Sequence, residues 1–288
     1  MNTHDIIVCV HNGKEDTLRC LKSIIENKSS NILGDVIIVD DASDTDTFNA
    51  LKLFAAEHKM VRLYRLDEHS YYTKAANYGL KQSSAKYRTL LNSDTLVTNG
   101  WQDRILSVFQ SCSAIGIVGP LSNAASTQSV PNYKSAAKQT AVNQLPPGVT
   151  PQDFTDFLAN CFNKSSPPFV PLVHGFCMTI KSEVIDKIGY LDENLFPNGY
   201  GEENDYCFRA DDAGFILAIA INTFVYHKKS VSYNNDEQRI LYMNNGMAEL
   251  IKKYGVKRIE YSVCYMESNP VLKKARDLVF EKWIDFYA

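Results

Sequence analysis

The chain has 288 residues, 45% hydrophobic and 22% charged, with a formal net charge of −3. That size and mix suit one large α/β domain, or one domain with a substantial appendage, and the mild acidity argues against nucleic-acid partners, whose binding needs a basic excess. Seven scattered cysteines with no CxxC pair predict reduced thiols in a cytoplasmic protein rather than a disulfide framework.

The polar Met1–Asp5 start and the short apolar run Ile6 to Val10 predict no signal peptide. No apolar run reaches the roughly 20 residues that span a bilayer. Asp5–Val10 reads as a buried strand, followed by a helix in which Leu18, Leu21, Ile24 and Ile25 share a face. Asp35–Asp40 is the next strand, and Phe48, Leu51, Leu53 and Phe54 predict the next helix. Met60–Leu66 is a third strand, then come a helix over 73–82, a strand over Tyr87–Leu91, a helix near 101–110 and a strand over Ile115–Gly119. Strands separated by helices of this length imply βαβ units and a mostly parallel sheet. Ligands in such sheets bind along the carboxyl edge.

From about Pro120 to Pro171 the pattern dissolves into Ser, Asn, Gln and Pro, which predicts a long substrate-side loop. Leu172–Ile180 reads as a strand, followed by a short helix ending near Gly189. EENDYCFRADDAG reads as a helix closed by Gly214. FILAIAI and TFVYH are two short strands, and the chain beyond Asn234 is helical.

Four polar clusters fall where a strand ends or a helix begins: Asp40 and Asp41 in VDDAS, Asp94 in LLNSDT, Glu202, Glu203 and Asp205 in GYGEEND, and His227 in VYHKK. Each has a bland explanation. Aspartates cap helices, acids in a first helical turn suit the macrodipole, and Asp205 with Arg209 is an i,i+4 pair.

Their order along the chain resembles family-2 glycosyltransferases of the GT-A fold, specifically the bacterial polysaccharide branch of O-antigen and capsule type, similar to rhamnosyltransferases. The resembling stretches are IIVCVHNGKEDTLRCLKSI, VIIVDDASDTDT, AANYGL, LLNSDT, GFCMTIKSEVIDKIGYLDENLFPNGYGEENDYCFRADDAG and VYHKKSVS, spanning about Asp5 to Tyr233. The resemblance implies a Rossmann-like α/β sheet flanked by helices. Residues 1–233 would form the catalytic domain, with a nucleotide-binding half (1–120) and an acceptor half (121–233), and 234–288 a C-terminal helical extension.

The resemblance also implies a chemistry. A nucleotide-diphosphate sugar is the donor, and a divalent cation, Mn2+ or Mg2+, offsets the charge of the leaving diphosphate. NSD matches the family's DxD metal motif with Asn92 in the first Asp position, so Asp94 becomes the ligand, His227 matches the late metal histidine, and Ser93 lies between. Cys9, Val10 and His11 match positions that line base and ribose. Asp41 matches the acid that accepts a pyrimidine N3–H, which favours UDP- or dTDP-sugars. Lys74 lies near a phosphate-facing position, or is simply a solvated helix residue. Tyr71 stands where the family usually has glycine. Glu203 matches the base that deprotonates the acceptor hydroxyl, with Glu202 as competitor. Asn123 and Gln128 in the 119–131 loop, His174 and Gly175 in HGF, and Asp205 frame the sugar or acceptor pocket.

These features lead to an inverting, metal-dependent transferase that extends a bacterial surface glycan on a lipid-linked or free saccharide acceptor. It would work in the cytoplasm, at the inner face of the membrane, beside other polysaccharide-assembly enzymes. Basic and aromatic residues of the extension (Lys252, Lys253, Lys257, Arg258, Trp283, Phe286 and Tyr287) either pack on the catalytic domain or meet the membrane surface. Two alternatives stay open: a catalytically inactive sugar-nucleotide binding module, for which Asn92 is the best argument, and a sugar nucleotidyltransferase, for which VHNGKED is a poor phosphate loop.

Overall fold

A computed structural model describes residues 3–135, 140–229 and 236–287. The first part alternates as the sequence predicts: β1 (His4–Val10), α1 (Lys14–Glu26), β2 (Val36–Asp40), α2 (Thr45–Glu57), β3 (Val61–Arg65), α3 (Tyr71–Gln82), β4 (Tyr87–Asn92), β5 (Thr95–Leu96), α4 (Trp101–Ser111) and β6 (Ile115–Leu121). There follow α5 (Pro151–Phe162), β7 (Phe169–Val170), β8 (Cys177–Lys181), α6 (Ser182–Ile188), α7 (Glu202–Asp212), β9 (Ile216–Phe224) and β10 (Tyr226–His227). Three helices close the chain: α8 (Asp236–Tyr254), α9 (Val256–Ser268) and α10 (Pro270–Tyr287).

Eight strands form one sheet in the order β3-β2-β1-β4-β8-β6-β9-β7. Within it β8 runs antiparallel to β4 and β6, and β7 antiparallel to β9. The apolar runs are continuous because both faces are covered. Ile7, Ile37 and Leu90 pack on one side with Ala76 and Leu80 of α3, while Ile6, Val8, Ile38 and Leu91 pack on the other with Leu21 of α1 and Trp101 of α4. Parallel register sets Val10 beside Asp40 and Cys9 beside Asn92. Three strands therefore deliver their last residues to the same edge.

Among its described residues, the region expected to be a loop holds three further elements: the 3-10 turn Ser126–Gln128, α5 and β7. Helix α5 starts at Pro151 because Thr150 and Asp153 form a reciprocal capping box, and proline at the first helical position helps rather than breaks a helix. Its Phe154, Leu158 and Phe162 are buried. The expected strand over 172–180 is shorter. The N–H of Val173 goes to Cys207 Sγ and that of His174 to Gln128 Oε1, so only Cys177–Lys181 joins the ladder. The two short strands expected after Gly214 are instead one nine-residue strand, β9, and the two-residue β10.

The C-terminal helices pack onto this core. Trp283 stacks on Phe154 with centroids 4.2 Å apart. The buried Arg276 donates to the Thr127 carbonyl at 2.6 Å. Gly246 of α8 lies so close to the Tyr200 carbonyl that a Cβ there would clash with its oxygen. Lys253 and Arg258 pair with acids of the catalytic region, while Lys252 and Lys257 are exposed. The expected boundary at 233/234 and the side chains of Phe286 and Tyr287 lie outside the described residues. All seven cysteines are free. Among the described residues no helix is long and apolar enough to cross a membrane.

Candidate functional site

The stretch LLNSDT ends β4 and turns at once into β5. Thr95, fully buried, donates its hydroxyl to the Asn92 carbonyl at 2.7 Å and fixes that turn. Strand β5 then pairs antiparallel with β10, setting Thr95 opposite His227, and the Lys228 N–H bonds the Asp94 carbonyl at 3.0 Å. This two-stranded ribbon brings Asp94 Oδ1 to 3.2 Å from His227 Nε2.

The histidine is held from every side. Asn123 accepts the His227 N–H at 2.8 Å and donates to its carbonyl at 3.0 Å. Phe176 stacks parallel to the imidazole, 5.6 Å between centroids. Nδ1 lies 2.9 Å from the Ala124 carbonyl, which can only accept, so that nitrogen carries the proton. Nε2 faces a carboxylate oxygen, and either a proton or a cation can stand between them. A ligand histidine whose other nitrogen donates to a backbone carbonyl is the usual arrangement at a metal, so Asp94 and His227 fit a divalent cation.

Helix α7 supplies the acids. Gly201, at φ 115, occupies backbone space that a side chain would strain, and its N–H approaches Glu203 Oε2 at 3.4 Å. Glu202 is buried, with Oε2 lacking a hydrogen-bond partner. Burial, then the neighbouring Glu203, raises the Glu202 pKa well above the carboxylate range. Burial also raises Glu203. Each carboxyl bears on the other's ionisation, so they titrate as a pair. Tyr72 lies near both, with its hydroxyl buried and unpartnered. Gly175 lies beside Glu203, where a Cβ would rest 3.5 Å from the glutamate Cβ. Lys229 is electrostatically coupled to both Asp94 and Glu203, so the ribbon and the helix start share one region.

The β1 and β2 ends form a second cluster. Asp41 accepts the Ser70 N–H at 2.6 Å and His69 Nδ1–H at 2.8 Å. His11 Nδ1–H donates to the Asp41 carbonyl at 2.7 Å. His11, Asp41 and His69 each offer a ligand-type atom within 4.8 Å of the others, yet both Nδ1 atoms already face oxygens of Asp41. Tyr71, where the resemblance leads us to expect glycine, adopts the left-handed conformation at φ 64. Asp40 is spoken for, bonded by Arg65 at 2.8 Å, and the cap of α2 is Asp44 rather than either of the pair.

Not every expected residue reaches the cleft with a free side chain. Val10 is 1% exposed and packs in the core. Burial raises the half-buried Cys9 thiol, leaving it neutral. Lys74 is exposed on the first turn of α3, while Asn92, the last residue of β4, and Ser93, in the turn after it, are half-buried. Asn123 clamps His227. Gln128, fully buried, donates to the Pro120 carbonyl at 2.7 Å and accepts from His174 N–H. His174 Nε2 sits 3.0 Å from the Thr127 hydroxyl, and burial lowers its pKa to about 4, so it is neutral. Asp205 is fully buried and bonded by Lys253 and Tyr254 at 2.6 Å and Arg209 at 2.7 Å. The polar atoms of Asn123, Gln128 and Asp205 are thus engaged inside the protein. His69, Tyr72, Phe176 and Lys229 were not singled out from the sequence as site residues, because single aromatic and basic residues carry no pattern until the fold gathers them.

The glycosyl transferase family 2 profile matches residues 5–158. Glycosyltransferase AglE of Haloferax volcanii is 22% identical over 222 residues, 77% of this chain and 66% of its own length. A putative polypeptide N-acetylgalactosaminyltransferase 9 of Drosophila melanogaster is 27% identical over 104 residues, 35% of this chain and 16% of its own. The chain therefore spans less than two thirds of these relatives.

Among solved structures, GalNAc-T7 with UDP, GalNAc and Mn2+ superposes with a TM-score of 0.66 at 16% identity, covering 99% of this chain and 56% of that one. The mannosyltransferase PcManGT of Pyrobaculum calidifontis in complex with GDP-Man and Mn2+ superposes at 0.62 and 16% identity, covering 99% and 75%. These likenesses bear out the GT-A fold, a mostly parallel sheet flanked by helices, with C-terminal helices beyond it. With the profile covering more than half of its length, the chain belongs to glycosyl transferase family 2.

Proposed function

We propose that the chain is an inverting, metal-dependent glycosyltransferase. It moves a hexosyl or deoxyhexosyl unit from a UDP- or dTDP-sugar to a hydroxyl of a growing bacterial surface glycan, free or lipid-linked. The observation that carries the reading is the Asp94–His227 pair, with Nε2 and Oδ1 at 3.2 Å and Nδ1 engaged by the Ala124 carbonyl. Relatives of this fold have been seen with a nucleotide or nucleotide sugar and Mn2+. A divalent cation on Asp94 and His227 supplies charge compensation for the leaving diphosphate, and an imidazole nitrogen in the donor set favours Mn2+ over Mg2+.

Glu203 is the base in this reading. It takes the proton of the acceptor hydroxyl as that oxygen attacks the anomeric carbon. Its raised pKa places it nearer the operating pH, where a general base works best. Glu202, the more strongly raised of the two, keeps its proton and so leaves Glu203 as the ionised partner. One base acting on an attacking hydroxyl gives inversion, whereas retention needs a second, nucleophilic carboxylate. Residues 1–233 act as the catalytic domain and the C-terminal helices as its brace.

The test is incubation with Mn2+ and a panel of nucleotide sugars, reading nucleoside-diphosphate release. Release from a UDP- or dTDP-sugar supports the proposal. Pyrophosphate release from sugar phosphate plus nucleoside triphosphate points to a nucleotidyltransferase instead. Binding without turnover, with saccharide acceptors present, points to an inactive binding module.

A further inference from the structure

The Asp41 cluster is already filled by a part of the chain itself. His69, on the loop between β3 and α3, lies flat on His11 with ring centroids 3.8 Å apart and planes 28° apart. Its Nδ1–H points at Asp41 Oδ2 at 2.8 Å, and the other carboxylate oxygen takes the Ser70 N–H at 2.6 Å. Asp41 is 3% exposed, and His69 and Ser70 between them engage both of its carboxylate oxygens. A pyrimidine base held here needs a flat ring on His11 and a ring N–H to Asp41. The imidazole of His69 supplies both.

We propose that His69 is a resident competitor for the donor's base, a gating residue that the incoming uracil or thymine must displace from Asp41. This rests on the nucleotide-sugar reading above. At 3.8 Å the two imidazoles are in contact, so a base cannot enter between them without moving His69. The side chain is free to leave: it is 34% exposed, on a connecting loop, and its other ring neighbour is Tyr71 at 4.3 Å. Leaving costs the hydrogen bond to Asp41, and that cost is larger when the imidazole is protonated, because the bond is then an ion pair.

The groups facing the ring are Asp41 from the end of β2, His11 from the end of β1, Tyr71 from α3, and behind it Tyr242 from α8, its ring 5.9 Å from Tyr71. Asp67 and Glu68 precede His69 on its own loop.

The experiment is calorimetric titration with UDP and with dTDP in the presence of MnCl2. It compares wild type, His69→Ala and His69→Phe near pH 8 and near pH 5.5, on either side of the usual histidine range. His69→Ala is expected to bind UDP roughly tenfold more tightly than wild type, the ratio expected from one lost charge-assisted hydrogen bond. The gain should be larger at the acid pH. His69→Phe, which keeps a ring on His11 but cannot donate to Asp41, should retain competition and lose its pH dependence. Ratios to wild type cancel the titration of UDP itself. Equal or weaker UDP binding by His69→Ala at both pH values overturns the gate and leaves the donor reading standing. If no variant binds either nucleotide, the base subsite is misplaced and both fall together.

Discussion

Two buried carboxylates on α7, one turn apart, have opposite environments. Glu202 keeps an oxygen without a partner, and its pKa is driven up by burial. Asp205 is buried more completely, which alone would also raise it, yet Lys253, Tyr254 and Arg209 bring it below its ordinary 3.8. Burial is thus common to both, and partners decide the sign. Glu202 and Glu203 remain an acid pair raised by burial and suited to chemistry. Asp205 fastens α8 to the catalytic region.

The comparison can be broken most directly at Glu203. Glu203→Gln is expected to cut transfer roughly 100- to 10,000-fold while leaving UDP binding in place. Near-normal turnover would remove Glu203 from the base role. The acid limb of the wild-type pH–rate profile should lie above the ordinary 4.5 of a glutamate, since burial raises both members of the pair.

Asp205→Ala should lower stability by about 2–4 kcal/mol, because it removes the hydrogen bonds of Arg209, Lys253 and Tyr254 to a buried carboxylate and leaves Lys253 with the more distant Asp192, at 3.8 Å. Denaturant unfolding reads this loss. A depressed carboxylate adds stability above its unfolded pKa and loses it as pH falls through the folded one. The wild type's advantage over Asp205→Ala should therefore shrink below about pH 3.8. An advantage that persists in acid would mean that the ion pairs contribute little.

Asn123→Ala tests a residue that acts through His227. Removing its clamp should weaken Mn2+ activation about 10- to 100-fold, seen as a higher Mn2+ requirement with an unchanged fold. If the Mn2+ requirement stays the same, Asn123 does not position the histidine.

The smallest effect is expected at Glu202. A raised carboxylate stabilises the fold below its unfolded pKa and loses that contribution as pH rises through the folded value. Glu202→Gln should therefore melt about 2–4 °C higher than wild type near pH 8. No gain on heating would mean that the carboxylate is not strained there.

The alternating core was legible because buried strands between helices leave continuous apolar runs, as in Ile6–Val10 and Val36–Val39. Asp94, His227 and Glu203 were legible as motif positions, and the structure gathers them in one region. Helix α5 was hidden because Pro146, Pro147 and Pro151 look like breakers, although the last of them is a helix starter. Asn123, Gln128 and Asp205 looked like pocket residues because short polar side chains read alike whether they face a ligand or a neighbouring carbonyl. His69 was invisible, since its partners Asp41 and His11 are defined by the meeting of β1 and β2, not by spacing.

By itself, then, the amino-acid order determined which segments are buried and which polar residues end them, because periodicity and strand–helix alternation are local properties. Only the tertiary structure decided which of those polar residues are spent. Lys253 and Tyr254 reach Asp205 across 48 and 49 residues, and Asn123 reaches His227 across 104. A side chain's role depends on what stands within hydrogen-bonding distance, and distant segments supply it.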